Sequence, residues 1–109
     1  MSKTQRKFSS SISHDDAVVK MLREDPSCAQ LYLQVALDEI YEEQGNPAYL
    51  IALRRVIESR GGIGEIAAKA GLSRQQLYRT LSDNGNPTLT TLMKVTRAAG
   101  VKLFDSTVK

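Results

Sequence analysis

The side chains best suited to chemistry in this sequence fall in one polar and basic run, residues 73–79. Arg74 and Arg79 each carry a planar guanidinium that can donate two parallel hydrogen bonds, and Gln75 carries an amide that both donates and accepts. In the major groove of DNA, arginine pairs in this way with guanine and glutamine with adenine. Because the run contains no acid, it predicts contact with a nucleic acid.

Two short helices joined by a tight turn are predicted to position this run. The apolar spacing places the first helix at residues 64–70 and the second at residues 74–81, with Ser73 as the N-cap of the second. Helices that cross steeply after so short a turn must approach closely, as in a helix-turn-helix. We expect Ala67 to be the small residue at the crossing, Gly71 to take the positive φ that the turn requires, and Leu77 to fill the space between the helices.

Four further helices are expected around this pair, so the predicted fold class is all-α. Apolar residues recur in them at helical spacing, and glycine or proline separates one helix from the next. These helices are expected at residues 14–24, 27–44, 47–59 and about 88–99.

Specific expectations concern the ends of these helices. Gly45 is expected to close the second helix, and Thr88 or Asn86 to cap the last. Residues 101–104 are expected to form an extended tail or a short edge strand. The side chains of the last helix expected to face the core are Leu89, Leu92, Met93, Thr96 and Ala99.

Charge is distributed unevenly along the 109 residues, although the net charge is only +3. Residues 1–13 have three bases and no acid, and we interpret them as a mobile basic arm. Residues 14–47, a predicted N-terminal helical extension, have eight acids and two bases, or −6. Residues 48–109 have ten bases and four acids, or +6, and we place a helix-turn-helix DNA-binding domain at 48–104. The contrast favours two different partners, although the acidic segment is equally explained by ordinary solvated helix faces.

Several classes of function are disfavoured by composition. A single cysteine, Cys28, allows no intramolecular disulfide, and a single histidine, His14, disfavours a metal site, which needs several ligands. The cluster at residues 14–16 is interpreted as a helix start rather than as acid–base machinery. No signal peptide or membrane span is expected, so we predict a cytoplasmic protein that is not an enzyme and needs no cofactor.

Three runs of this sequence, residues 66–73, 77–81 and 85–95, resemble the lambda-repressor-like, Xre-type helix-turn-helix domain. More narrowly they resemble the addiction-module antidote proteins, which are antitoxins of type II toxin–antitoxin pairs, and so do residues 29–47. The resemblance covers residues 15–104. It departs from the pattern at Thr80, where a large apolar residue is typical, and Leu81 is expected to take over the packing.

The resemblance implies a five-helix fold that binds its own promoter as a dimer. By position in the motif, it assigns base reading to Arg74, Gln75 and Arg79, and contact with the DNA backbone to Ser73, Gln76, Tyr78 and Asn84. Independently of the resemblance, one short recognition helix contacts few base pairs, which favours a homodimer on a two-fold operator.

Three hypotheses of function follow. In the first, the chain is a DNA-binding regulator that also neutralises a small basic toxin protein through its acidic helix at 27–44. In the second, it is a stand-alone Xre-type repressor without a toxin. In the third, it is a helical interaction module that has lost DNA binding. Acidic residues on the recognition face would favour this third hypothesis, but that face has none.

Overall fold

The computed structural model describes residues 14–82 and 85–103. The predicted arm at residues 1–13 and the predicted backbone contact Asn84 lie outside these residues. The described parts hold six helices and no strand, which confirms the all-α class over those parts. The helices are α1 (residues 14–24), α2 (Cys28–Asp38), α3 (Gly45–Ser59), α4 (Ile63–Ala70), α5 (Arg74–Thr80) and α6 (Leu89–Ala98).

The core is built around α3. Its residues Leu53, Val56 and Ile57 recur at helical spacing and are wholly buried, as their spacing predicted. α3 packs against both α2 and α4. Because α4 also contacts α5 and α6, helices α2 to α6 form one connected set of five, to which α1 is added. The predicted domain boundary at residues 47 and 48 lies inside α3.

The α1 helix is held to this set by one buried side chain and one polar cluster. Leu22 is wholly buried. The guanidinium of Arg55 on α3 donates to Asp15 Oδ1 at 2.7 Å and to the Tyr32 hydroxyl at 3.1 Å. Burial by itself lowers the pKa of Arg55, but the hydrogen bonds to Tyr32 and Asp15 outweigh burial and raise it. The charged form of Arg55 therefore links α1, α2 and α3.

The prediction that the second helix extends to residue 44 is wrong. α2 ends at Asp38, and the chain then turns repeatedly, with Ile40 N–H donating to the Leu37 carbonyl at 3.0 Å. The acidic residues after Asp38 therefore lie in a turn segment, residues 39–44, and not on a helix. Gln44 takes the left-handed conformation, with φ of 68°, at the point where the next helix begins.

The prediction that Gly45 closes the second helix is wrong. Gly45 is instead the buried first residue of α3. A Cβ at this position would lie 2.5 Å from the carbonyl oxygens of both Glu39 and Ile40. Glycine is needed here for the close approach of two backbone segments, and not for positive φ.

Two of the inward-facing predictions for α6 are wrong, because Leu89 is 59% exposed and Met93 is 54% exposed. The buried residues of α6 include Val95, which was not among the predicted inward-facing residues. At about 100° per residue, Met93 lies roughly 160° around the helix axis from Val95 and so faces away from the core. The predicted cap Thr88 is present, and its hydroxyl accepts from Thr91 N–H at 3.1 Å.

After α6, residues 101–103 form no strand. The Lys102 backbone is paired instead with a side chain, since Gln30 Oε1 accepts from Lys102 N–H at 2.8 Å and Gln30 Nε2 donates to the Lys102 carbonyl at 2.9 Å. Val101 and Leu103, on either side, are buried in the core. The amide of one α2 residue thus satisfies backbone groups that a neighbouring strand would otherwise pair.

Candidate nucleic-acid interface

The turn between α4 and α5 has the positive φ predicted for it. Gly71 follows α4 in the left-handed conformation, with φ of 75°. Its N–H donates to the Ala68 carbonyl at 3.2 Å, and Leu72 N–H donates to the Ala67 carbonyl at 2.9 Å. These bonds satisfy carbonyls at the end of α4, which is how a glycine commonly terminates a helix. Ala67 is 1% exposed, so a small residue lies where α4 enters the core.

The structure corrects one expectation for this turn, namely that a side chain at Gly71 would crowd the helix crossing. A Cβ there would meet nothing within 4 Å, so only the backbone conformation selects glycine. We expect Gly71→Val to lower stability by about 1–2 kcal/mol, because β-branched residues resist positive φ. Gly71→Asn should cost less, since asparagine tolerates this conformation. Thermal unfolding of both variants is the measurement, and equal melting temperatures for Gly71→Val and the parent protein would contradict this description.

The first turn of α5 is fixed by a capping box. Ser73 Oγ accepts from the Gln76 N–H at 3.0 Å, and Gln76 Oε1 accepts from the Ser73 N–H at 2.8 Å. Both residues were predicted to contact the DNA backbone. In this arrangement the side-chain oxygen of Gln76, Oε1, already accepts a hydrogen bond. The side-chain nitrogen of Gln76, Nε2, and the hydroxyl proton of Ser73 remain as donors for a phosphate.

Four of the predicted DNA contacts lie together on the outer face of α5. They line an open groove of about 540 Å³, here called the outer α5 groove, with one further residue: Arg74, Gln75, Tyr78, Arg79 and Ser82. At 100° per residue, the four positions that belong to α5 occupy a single arc of the helix. No acid lines the groove within the part of the chain that the structure describes, and the first four residues are exposed. The structure therefore brings together the three predicted base-reading residues.

The inner face of α5 holds the helix against the core. Leu77, one of the predicted structural residues, is wholly buried, and Leu81 is 4% exposed. Thr80, the departure from the family pattern, donates its hydroxyl to the Gln76 carbonyl at 2.8 Å. Leu81 thus takes over the packing expected of a large residue at position 80.

The charges around the outer α5 groove are predominantly positive. The side chain of Arg74 lies across the start of α4, since a Cβ on Gly64 would be 3.8 Å from Arg74 Nε. The acid of α4, Glu65, is 3.4 Å from Lys69 and is balanced by it. Arg74 and Arg79 form no ion pair with the described residues. Their charges are therefore available to an anion.

A second groove, here called the α3–α5 groove, adjoins the first. It measures about 220 Å³, and its lining shares Tyr78 and Ser82 with the outer α5 groove: Ile51, Arg54, Ile63, Tyr78, Leu81 and Ser82. The sequence analysis missed both Ser82 and Arg54. For Arg54 a signal existed, because it falls outside the apolar stripe of α3 and so had to face outward.

Neither a metal-binding cluster nor a membrane-spanning helix is found in residues 14–82 and 85–103. In these residues no three His, Cys, Asp or Glu side chains come together as a group that could hold a metal ion. Likewise, none of the helices among them is long and apolar enough to cross a membrane.

The fold and this face together define a class: a small helical protein in which a glycine turn presents a capped, acid-free helix face at the surface. A family model described as "Probable addiction module antidote protein" matches residues 14–107, and the chain belongs to this family. This confirms the antidote family that the sequence resembles. A relative from Haemophilus influenzae (strain ATCC 51907 / DSM 11121 / KW20 / Rd), named "Uncharacterized protein", is 40% identical over 70 residues, which is 64% of this chain and 71% of that protein. No solved structure matches the chain.

Proposed function

We propose that the chain is the antitoxin of a type II toxin–antitoxin module and that it binds the operator of its own operon, represses it, and neutralises a toxin. The antidote family supports the antitoxin role. The observation that carries the DNA-binding part is the outer α5 groove, where two arginines, a glutamine and a tyrosine share one exposed face without an acid.

In this proposal α4 and α5 are a helix-turn-helix, and the N-terminal end of α5 enters the major groove. Arg74 and Gln75, in the first turn, are best placed to reach base edges, and Arg79 follows one turn later. Ser73, Gln76 and Tyr78 supply hydroxyl and amide donors for phosphates on either side. The capping box supports this arrangement because it fixes the start of α5 before DNA is bound.

Binding as a homodimer is part of the same proposal. α5 has only seven residues and can contact few base pairs. Two copies related by a two-fold axis would place their recognition helices in successive major grooves, about 34–36 Å apart. Their combined contacts give the affinity and specificity that one helix lacks.

We further propose that the toxin binds on the other side of the chain, over α2 and the turn segment. An open apolar groove of about 460 Å³ lies there between α1, α2 and α3, and its walls include Met21, Leu31, Val35 and the acid Glu39. The first three are 47%, 66% and 49% exposed. Exposed apolar side chains within a segment of net charge −6 suit a basic partner that also buries apolar surface. This groove shares no lining residue with the outer α5 groove.

The proposal is tested by titrating the protein against a duplex from its own promoter at several NaCl concentrations. Each phosphate neutralised by a cation releases counterions, so the affinity should fall steeply with salt. For six phosphate contacts the expected loss between 50 and 200 mM is about 10³-fold. An affinity that does not change over this range would contradict the electrostatic contact proposed for α5.

A further inference from the structure

One arginine outside α5 lies at the edge of the proposed DNA surface. Arg54, on α3, lines the α3–α5 groove together with Tyr78 and Ser82, and these two residues also line the outer α5 groove. The two grooves therefore adjoin each other at Tyr78 and Ser82, between α5 and α3. Among the described residues, neither lining contains an acid.

Arg54 also differs from the neighbouring arginines in having no structural role. Arg55 is bound to Asp15 and Tyr32, and Arg60 donates to the carbonyls of Ala99 and Pro26. Arg54 is exposed and forms no hydrogen bond or ion pair with the residues described. Glu58, one turn further along α3, is not within ion-pair distance of it. Within residues 14–82 and 85–103, therefore, no partner accounts for a cation at this position.

The lining of the α3–α5 groove matches the chemistry of a sugar–phosphate chain. A guanidinium pairs with a phosphate through two parallel hydrogen bonds, and the hydroxyls of Tyr78 and Ser82 add neutral donors. Ile51, which is 40% exposed, and Ile63 give the groove an apolar wall against which a deoxyribose ring can pack. An acidic peptide would also meet the arginine, but the adjoining outer α5 groove favours DNA.

We propose that Arg54 binds a phosphate of the DNA backbone, so that the nucleic-acid interface extends from α5 across Tyr78 and Ser82 onto α3. This inference rests on the proposed function, since it requires that α5 meets DNA. A phosphate contact carries no sequence information, so Arg54 sets affinity and register while α5 reads the sequence.

The test is a set of salt titrations with Arg54→Ala, Arg54→Lys and Arg23→Ala, each on a promoter duplex and on a random-sequence duplex of equal length. Arg23 is an exposed arginine on α1 that lines neither groove, so it is the matched control for loss of one positive charge. Arg54→Ala should weaken binding to both duplexes by the same factor, about tenfold per protomer at 0.1 M salt, and should reduce the salt slope by about 0.9 per protomer. Arg54→Lys should keep the slope, and Arg23→Ala should behave as the parent protein.

The outcomes separate this inference from the function on which it rests. If Arg54→Ala keeps the parent affinity and salt slope while the parent protein binds DNA, Arg54 is not a phosphate contact and only the further inference is overturned. A loss confined to the promoter duplex would overturn it too, because that is the behaviour of a base-reading residue. If the parent protein binds neither duplex, the proposed function fails together with the inference. Thermal unfolding of the variants checks that the exposed substitution leaves the fold intact.

Discussion

Replacing Leu77 with alanine should lower the free energy of unfolding by about 2–5 kcal/mol. Leu77 is wholly buried and fixes the inner face of α5 against the core. Its truncation removes apolar atoms from that contact and leaves a cavity that the neighbouring helices fill only in part. Since α5 has seven residues, its stability comes from this packing rather than from intrinsic helix propensity.

Leu89→Ala is the matched control for this prediction. Leu89 is chemically identical but 59% exposed at the start of α6, so its truncation should change the stability by less than about 0.5 kcal/mol. Urea denaturation of both variants is the measurement. Similar losses for the two variants would mean that α5 is not anchored to the core as described.

The sequence was informative where local chemistry decides the structure. The cap Ser73 was predicted from residue type alone, and Thr88 was one of two predicted alternatives, because a side-chain oxygen at that position satisfies a free backbone N–H. The positive φ of Gly71 followed from the same kind of local reasoning. The outward arc of α5 also needed only the helical period and one buried anchor, Leu77.

Predictions failed where structure depends on contacts between distant elements. Gly45 had the composition of a helix stop, but its role is a close approach to the carbonyls of Glu39 and Ile40, which depends on how the turn segment folds. Met93 has an apolar type that favours the core, yet the orientation of α6 against α4 leaves it 54% exposed. Neither the close approach at Gly45 nor the orientation of α6 can be obtained from periodicity within a single helix.

The candidate site likewise combines features that local sequence predicts with features that depend on contacts between distant elements. The residues of α5 were found because they are consecutive on one helix, whereas Arg54 lies twenty or more positions earlier in the chain. Only the tertiary fold, in which α3 and α5 both contact α4, brings Arg54 into the same groove as Tyr78 and Ser82. The apolar groove at Met21, Leu31 and Val35 is likewise formed by residues of three helices. The sequence of any one of these helices therefore could not predict it.

Replacing Arg74 with alanine should weaken binding to the promoter duplex by roughly 1–3 kcal/mol. Arg74 is the first residue of α5, where side chains reach deepest into the major groove, and its guanidinium can bond a guanine in bidentate fashion. The fold should be unaffected, because the side chain is exposed and alanine favours a helix. On random DNA the loss should be smaller, since only a charge attraction is removed there.

The central claim is that α5 recognises the base sequence of the promoter. Paired titration of the parent protein and Arg74→Ala on the promoter and random duplexes tests this claim most directly. Arg23→Ala, measured alongside, corrects for the loss of one positive charge at a site outside both grooves. We predict that the parent protein prefers the promoter and that Arg74→Ala loses a large part of that preference. Equal losses on both duplexes would remove Arg74 from the base-reading residues, and a parent protein without any preference for its promoter would contradict the claim itself.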